Sequence, residues 1–275
     1  MTKSSMTKSS LQPSLFIPHG GGPCFFMEWT MGPRSTWDSM ATWLRGLAAT
    51  LPARPKAIIV ISGHWEEDAF AVTAAANPPL IYDYYGFPEH TYQLKYPAPG
   101  DPALAERIVS LLRDVGLPAR MDAVRGFDHG AFIPFMLIFP DADIPIVQLS
   151  LHHSLDPELH LAAGRALTTL RDEGVLIVGS GMSYHNMQGF GAPNSKQVSE
   201  QFDAWLNETL CNGAVNQTAL ARWESAPAAR AAHPREEHLI PLMAAAGAGG
   251  STAANRIYND QALGVIVSAF RFGGV

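Results

Sequence analysis

Short apolar runs alternate along this chain with longer amphipathic segments. The apolar runs are rich in β-branched residues and bounded by glycine, proline or polar residues, which is typical of strands buried on both faces of a parallel sheet. They occupy residues 15–18, 57–61, 144–151, 175–181 and 263–270. A further short strand is predicted within residues 70–75. These runs predict the strands of one central sheet.

The segments between the strands carry apolar residues at helical spacing. Helices are predicted over residues 35–50 and 195–211. Asp101-Pro102 and Asp156-Pro157 each predict a helix start, because an aspartate cap followed by proline suits the first turn. Pro234 followed by two glutamates predicts another start. Alternating strands and helices indicate one α/β domain, in which a central, mostly parallel β-sheet is flanked by helices on both faces.

Three histidines follow apolar strands of this sheet. His19, His64 and His185 come shortly after the runs at 15–18, 57–61 and 175–181. In open α/β sheets the ligand crevice lies beyond the carboxyl ends of the strands, so these side chains should gather at one edge. Because histidine is the commonest side-chain metal ligand, we predict a histidine-rich metal site there.

The surroundings of His19 and His238 leave other interpretations open. Three glycines follow His19; they fit a ligand site, but also a plain turn or a weak phosphate loop. Cys24 is near enough in sequence to bind a metal, although a lone cysteine is more often a small buried hydrophobe. His238 is one turn beyond Pro234 and can reach the same crevice. Glu236 and Glu237 are competing carboxylate ligands, or structural residues of the helix start.

Further candidates lie on polar or aromatic segments. His129, in the segment Gly-Phe-Asp-His-Gly at 126–130, is predicted to lie on a loop and to act as an acid/base group. The segment 81–88 is aromatic and can wall a pocket for a flat ligand, or form the underside of a long loop. Trp65, Tyr85 and Phe87 are the candidate substrate contacts. His160, on the helix after Asp156, is predicted to face solvent.

Composition narrows the class of protein. The net charge is −6 and no basic cluster is present, which argues against nucleic acid as a partner. Charged residues make up 16% of the 275, so a homo-oligomer that covers apolar surface is a weak expectation. Two cysteines predict no disulfide framework and fit a reducing, cytoplasmic location. Residues 1–11 are predicted to be a flexible extension without a signal peptide, and no membrane span is predicted.

Several motifs occur together in one order. They are Pro-His-Gly-Gly-Gly-Pro at 18–23, Ser-Gly-His-Trp at 62–65, Gly-Phe-Asp-His-Gly at 126–130, Ser-Gly-x-x-x-His-Asn at 180–186 and Glu-His-Leu-x-Pro-Leu at 237–242. With this set the chain resembles the class III extradiol ring-cleavage dioxygenases, in particular their LigB-like, DOPA 4,5-dioxygenase branch. The resemblance extends over nearly the whole chain and implies that residues 12–275 form the catalytic domain. Many relatives have His-Gly-Ser-Pro where this chain has the residues from His19 to Pro23.

The resemblance implies roles for individual residues. His19, His64 and His238 match the metal-binding histidines, and His185 matches a residue regarded either as a fourth ligand or as a base beside the metal. His129 matches the histidine near oxygen and substrate, so His129 and His185 are the candidate catalytic residues. The implied cofactor is Fe(II), with Zn(II) also able to occupy such a site. The implied partners are O2 and a catechol resembling DOPA or caffeate, cleaved beside its hydroxyls to a semialdehyde.

Two other functions remain compatible with the residues themselves. The same histidines can hold zinc and activate water for hydrolysis, which calls for a carboxylate base such as Glu66 or Glu237. Alternatively, the protein binds a ligand on an enzyme scaffold without turning it over. Oxygen consumption would separate the dioxygenase from both alternatives.

Overall fold

The computed structural model describes residues 11–273, so residues 1–10 of the predicted extension lie outside the described residues. The described chain contains an eight-stranded sheet. Its strands are β1 (Ser14–Pro18), β2 (Ala57–Glu67), β3 (Phe70–Thr73), β4 (Ala119–Asp122), β5 (Ile146–His152), β6 (Val175–Gly181), β7 (Asn255–Ala262) and β8 (Val265–Phe272). Each apolar run predicted as a strand contributes to this sheet.

The strands lie in the order β4-β3-β5-β2-β6-β1-β8-β7. The four central strands, β5, β2, β6 and β1, are mutually parallel. Antiparallel pairing joins β3 to β5 on one side and β8 to β1 on the other. The carboxyl ends of the central strands therefore meet at one edge, as expected for an open α/β sheet.

Eight α-helices accompany the described sheet. They are α1 (Asp38–Leu47), α2 (Pro102–Asp114), α3 (His129–Ile138), α4 (Pro157–Leu167), α5 (Ser195–Cys211), α6 (Gln217–Ala221), α7 (Ala229–Ala232) and α8 (Ile240–Gly249). Adjacent residues of β6 touch different helices: Gly179 lies against the Pro241 carbonyl of α8, and the Ser180 hydroxyl donates to the Gly130 carbonyl of α3. Since adjacent strand residues face opposite sides, α8 and α3 cover opposite faces. The predicted α/β architecture is confirmed.

Some of the helix predictions are confirmed and others are wrong. Helix α5 has the predicted bounds, and both Asp-Pro starts are confirmed: Asp101 and Asp156 accept from the backbone N–H three residues later. The helix start at Pro234 is wrong, because residues 237–239 form a turn and α8 begins at Ile240. His160 does not face solvent. It is fully buried, and its Nε2 accepts from the His152 N–H at 3.0 Å.

None of the described helices combines the length and apolarity required to traverse a lipid bilayer.

Candidate metal centre and substrate cavity

Three imidazole rings converge at the carboxyl edge of the central strands. His19 follows β1, His64 lies near the end of β2, and His238 lies in the turn before α8. The Nε2 atom of His64 is 3.3 Å from that of His19 and 3.2 Å from that of His238. The sequence predicted these residues to meet, and the structure brings them together.

Two glycines allow the turn that carries His238 to reach the sheet edge. A Cβ atom at Gly181, the last residue of β6, would lie 2.1 Å from the His238 carbonyl oxygen. A Cβ atom at Gly63 would lie 2.9 Å from the Glu237 carbonyl oxygen. Both approaches are too close for any side chain. The glycines of the two Ser-Gly motifs therefore serve the close approach of the Glu237–His238 peptide to β2 and β6.

The three converging imidazoles are neutral. Burial, reinforced by the neighbouring histidines, holds the pKa of His19, His64 and His238 well below the usual range. Neutral imidazoles have one N–H each, so three facing Nε2 atoms cannot all be satisfied by hydrogen bonds among themselves. A divalent cation satisfies the nitrogen lone pairs together, and neutral imidazole is the form that binds it. The residues therefore fit a metal ion.

Glu237 orients two histidines of the site. Its Oε1 atom is 2.9 Å from Nδ1 of His238 and 3.1 Å from Nδ1 of His185. The two rings stack with centroids 3.5 Å apart. Burial raises the pKa of Glu237, but the hydrogen bond with His185, a backbone hydrogen bond and the nearby charges of His185 and Arg235 together outweigh burial, so the pKa lies below its usual value. A carboxylate that accepts from Nδ1 leaves Nε2 unprotonated and directed at a metal. Glu237 is thus placed to support His238 rather than to compete with it.

The other two carboxylates considered from the sequence have different partners. Glu66 forms a bidentate ion pair with Arg235, with both N–O distances 2.6 Å. Glu236 pairs with Arg230 at 2.5 Å. Neither is grouped with the histidines as a potential metal ligand among the described residues.

His129 lies at the first position of α3, not on a loop as predicted. Its ring centroid is 3.9 Å from that of His64. Asp83 Oδ1 accepts from the backbone N–H of His129 and lies 2.9 Å from its Nδ1 atom. The other oxygen of Asp83 lies 3.7 Å from His64 Nδ1. Asp83 thus fixes His129 and faces His64.

Sequence reasoning missed the role of Asp83. The available signal is that Asp83 is the one charged residue in the aromatic segment 81–88. Asp128, by contrast, is adjacent to His129 in sequence but pairs elsewhere. It is fully buried, accepts from the Ser62 hydroxyl at 2.8 Å and bonds the Gln148 amide. Burial raises the pKa of this carboxyl.

A cavity of about 530 Å³ opens over the imidazoles, within the range of small-molecule sites. It is walled mainly by aromatic and apolar residues, which include Trp29, Met31, Trp37, Tyr84, Tyr85, Phe87, Met182, Met187, Phe190 and Leu263. His19, His64, His129, His185 and His238 also line it. No lysine or arginine belongs to this lining in the described part of the chain. The cavity suits a flat, largely apolar ligand with its polar edge toward the histidines.

Two of the three candidate substrate contacts line the cavity. Tyr85 and Phe87 line the cavity, as predicted. Trp65 does not. It is buried, its indole N–H donates to Glu67 at 2.8 Å, and the Arg125 guanidinium lies 4.8 Å from its ring centroid. Neighbouring side chains on a strand diverge, so His64 and Trp65 do not share the cavity. Cys24 is buried, and burial raises the pKa of its thiol, which suits the small-hydrophobe interpretation.

The fold and the site together define an α/β enzyme with a histidine centre beneath an aromatic cavity. Residues 14–269 match the family model described as the catalytic LigB subunit of aromatic ring-opening dioxygenase. The chain therefore belongs to the LigB family, and it is an extradiol, aromatic ring-opening dioxygenase. Members of this family depend on a metal, and the histidine cluster can bind one. The resemblance predicted from the motifs is confirmed.

Similar proteins agree with this assignment. The chain is 40% identical to "Dioxygenase tasH" of Hapsidospora irregularis, over 98% of this chain and 87% of that protein. It is 44% identical to "4,5-DOPA dioxygenase extradiol" of Beta vulgaris, over 78% of this chain and 81% of the relative. The Escherichia coli K12 protein with the same name is 37% identical, over 90% and 89%. The crystal structure of an uncharacterized protein from E. coli K12 superimposes with a TM-score of 0.74 at 32% identity, over 95% of this chain and 100% of that one.

Proposed function

We propose that residues 12–275 form the catalytic domain of an extradiol dioxygenase that opens a catechol beside its hydroxyl groups, with Fe(II) held by His19, His64 and His238. The observation that carries this proposal is that the Nε2 atom of His64 lies 3.3 Å from that of His19 and 3.2 Å from that of His238, in a buried cluster of neutral imidazoles. A bound Fe(II) would bring the catechol and O2 together and pass electron density between them. Facial sets of three protein ligands leave positions open for both reactants.

The remaining two histidines are proposed to handle protons. His185 lines the cavity, and its Nδ1 is paired with Glu237, so its second nitrogen is available to a substrate hydroxyl. We assign it as the base that takes the proton from a catechol hydroxyl, rather than as a fourth metal ligand. His129, fixed through Nδ1 by Asp83, presents its other nitrogen on the same side as His64 and is the second acid/base group.

The proposed substrate is a catechol of the DOPA or caffeate kind. Curated relatives are named 4,5-DOPA dioxygenases. We expect a planar ring to bind between Phe87 and the other aromatic residues that line the cavity, with its hydroxyls toward the imidazoles. Tyr85, which is 91% exposed, stands at the mouth of the cavity, where a ring substituent would pass. Tyr85 and Phe87 are thus the proposed substrate contacts.

The state of the cysteines is consistent with a reducing compartment. Both cysteines are free, with Cys24 buried and Cys211 partly buried. We propose a cytoplasmic enzyme, in which Fe(II) is more easily retained than in an oxidising compartment. Zn(II) binds the same kind of nitrogen site, so zinc in a purified sample would not contradict the proposed iron.

Oxygen consumption tests the proposed function. Protein loaded anaerobically with Fe(II) is offered L-DOPA, caffeate, protocatechuate and catechol, and O2 uptake is recorded with the absorption spectrum. We expect uptake to match the formation of a yellow, ring-opened semialdehyde mole for mole. Absence of uptake by protein with verified Fe(II) would contradict catechol cleavage. Uptake that yields hydrogen peroxide or a quinone in place of a ring-opened product would contradict it as well.

A further inference from the structure

The turn between β7 and β8 has an unusual residue. Leu263 and Gly264 form a two-residue loop, with φ angles of +53° and +81°, between the paired residues Ala262 and Val265. Two consecutive positive φ angles are typical of a type I′ hairpin turn, for which Asn-Gly is the preferred sequence. A leucine in the left-handed conformation is disfavoured because its Cβ crowds the following carbonyl. The chain therefore keeps leucine at a position where asparagine would fit the backbone better.

The side chain of Leu263 has a definite place in the molecule. It lines the histidine cavity and also the adjoining groove of about 610 Å³. Met31 and Phe190 belong to both linings too. These three residues, here called the apolar saddle, separate the cavity from the groove. Backbone strain retained at a site wall indicates a functional demand on the side chain.

We propose that Leu263 is a specificity-determining residue, over which the ring substituent of an elongated catechol passes from the histidine cavity into the adjoining groove. This inference rests on the proposed function, since it requires the catechol ring at the histidines. Contact with Leu263, Met31 and Phe190 favours a substituent that is apolar near the ring. Simple catechol, which has no substituent, would not reach the saddle.

The far side of the saddle is polar. The lining of the groove includes five residues with side-chain oxygens, Ser35, Thr36, Ser39, Asp260 and Gln261. Ser39 donates to the Asp260 carboxylate at 2.5 Å, and the described lining contains no lysine or arginine. Such a groove suits a distal end that donates hydrogen bonds, such as a hydroxyl, an amide or an ammonium group. The substrate class is thus a catechol with a long substituent that is apolar near the ring and carries a donor at its end. Of the two proposed kinds, DOPA carries such a donor in its ammonium group, whereas caffeate ends in a carboxylate and does not.

A Leu263→Asn variant distinguishes the effect of the leucine side chain on substrate binding from the effect of the turn on stability. Asparagine suits the type I′ turn better than leucine, so we expect the melting temperature of the variant to be no lower than that of the wild type. Anaerobic calorimetry is used to titrate catechol, 4-methylcatechol, 4-butylcatechol and 4-hexylcatechol into Fe(II)-loaded protein. For the wild type, we expect affinity to rise with chain length. For the variant, we expect about tenfold weaker binding of 4-hexylcatechol and a change of less than about twofold for catechol.

Two further variants act as controls. Leu263→Met keeps an apolar side chain at the saddle and should restore chain-length dependence, which a purely structural role of the turn would not require. Ala142→Gly relieves another positive φ angle, of +53°, in the turn before β5. That turn lies at the amino ends of the parallel strands, opposite the site. It should leave the binding of every catechol unchanged.

The outcomes separate this inference from the function on which it rests. Equal affinity of the wild type for all four catechols, or a uniform loss across the series in Leu263→Asn, would overturn the role of Leu263 while leaving ring cleavage intact. Failure of the wild type to bind or open any catechol would overturn the proposed function and this inference with it.

Discussion

At the scale of single residues, the site consists of histidines that are oriented by carboxylates. Glu237 accepts from Nδ1 of both His185 and His238, and Asp83 accepts from Nδ1 of His129. All three histidines line the cavity, and Nε2 of His238 lies 3.2 Å from that of His64. Two carboxylates thus fix the tautomers of three histidines.

Alanine substitutions should separate the two groups of histidines. His64→Ala removes the nitrogen that lies nearest to both His19 and His238, so we expect loss of iron binding and of turnover. His129→Ala should keep the iron but lower turnover by about 10²-fold or more, as expected for an acid/base group. Iron content and O2 uptake are measured on each variant, with His153→Ala, at an exposed position, as control. Full iron content and full activity in His64→Ala would contradict the ligand assignment.

Asp83 is expected to act on turnover through His129. Asp83→Ala leaves the Nδ1 atom of His129 without its acceptor, so we expect kcat to fall by about 10²-fold while KM and iron content change little. Asp83→Asn keeps an acceptor oxygen and should lose less. Iron content and both kinetic constants are measured for the two variants. If Asp83→Ala loses iron as completely as His64→Ala, Asp83 supports the metal centre as a whole.

The sequence predicted the histidines of the site better than their partners. His19, His64 and His185 could be identified because each follows an apolar run of a predicted strand, and the carboxyl ends of parallel strands meet at one edge of the sheet. Asp83 belongs to a long irregular segment. Such a segment has no helical or strand periodicity from which the direction of a side chain could be predicted. Trp65 was predicted as a substrate contact but does not line the cavity, because neighbouring side chains on a strand point to opposite faces.

At the scale of elements, the turn before α8 determines whether the centre can form. It is held against the ends of β2 and β6 by backbone contacts at Gly63 and Gly181. The prediction of a helix start at Pro234 failed because this tertiary contact outweighs the local preference of proline and glutamate for a first helical turn. His129 was placed on a loop because α3 is apolar on all sides and shows no amphipathic pattern that would reveal its first residue.

Gly181→Ala should damage the centre without touching a histidine. Its Cβ would lie 2.1 Å from the His238 carbonyl oxygen, so the turn must move away from the sheet. We expect a loss of about 1–3 kcal/mol in the free energy of unfolding and at least roughly tenfold weaker iron binding. Urea unfolding and iron titration are the measurements.

Gly46→Ala is the matched control for this prediction. Gly46 lies inside α1, and a Cβ there would meet nothing within 4 Å. Alanine should stabilise the helix by about 0.5–1 kcal/mol and leave iron binding unchanged. Equal effects of the two substitutions would contradict a specific role for the contact at Gly181.

At the scale of the whole molecule, buried neutral histidines make stability depend on pH. Burial lowers the pKa of His160 to about 4 and that of His233 to about 3. The unfolded chain, with a histidine pKa near 6.5, therefore binds more protons than the folded chain as pH falls below 6.5. As the pH falls from 6 toward the folded pKa, each of these residues should lower the free energy of unfolding by about 1.4 kcal/mol per pH unit.

Urea unfolding of metal-free protein at pH 7.0, 6.0 and 5.0 tests this dependence. His233 packs against Phe202 and Trp223, so His233→Phe keeps an aromatic ring and removes the titrating group. Its stability should fall less steeply on acidification than that of the wild type. His153→Ala, at an exposed site, should retain the wild-type slope. A slope that is unaffected by His233→Phe would contradict the assignment.

The overall architecture could be predicted from the sequence because it depends on long, redundant patterns. Strands of the parallel core such as β2 and β6 contain uninterrupted apolar runs, which are easily recognised in the sequence. The short edge strand β4 was not predicted, since four residues with two exposed side chains lack a distinctive pattern. The shape of the cavity was also beyond prediction, because Met31, Phe190 and Leu263 come from segments far apart in the chain.

The order of the proposed ligands along the chain has a consequence for synthesis. His19 and His64 leave the ribosome early, whereas His238 follows only after about 170 further residues, and β8, the neighbour of β1, follows later still. A nascent chain that ends before His238 holds two of the three proposed nitrogens. If these residues are the ligands, the complete three-histidine centre can form only at the end of translation or afterwards, and truncated products would lack it.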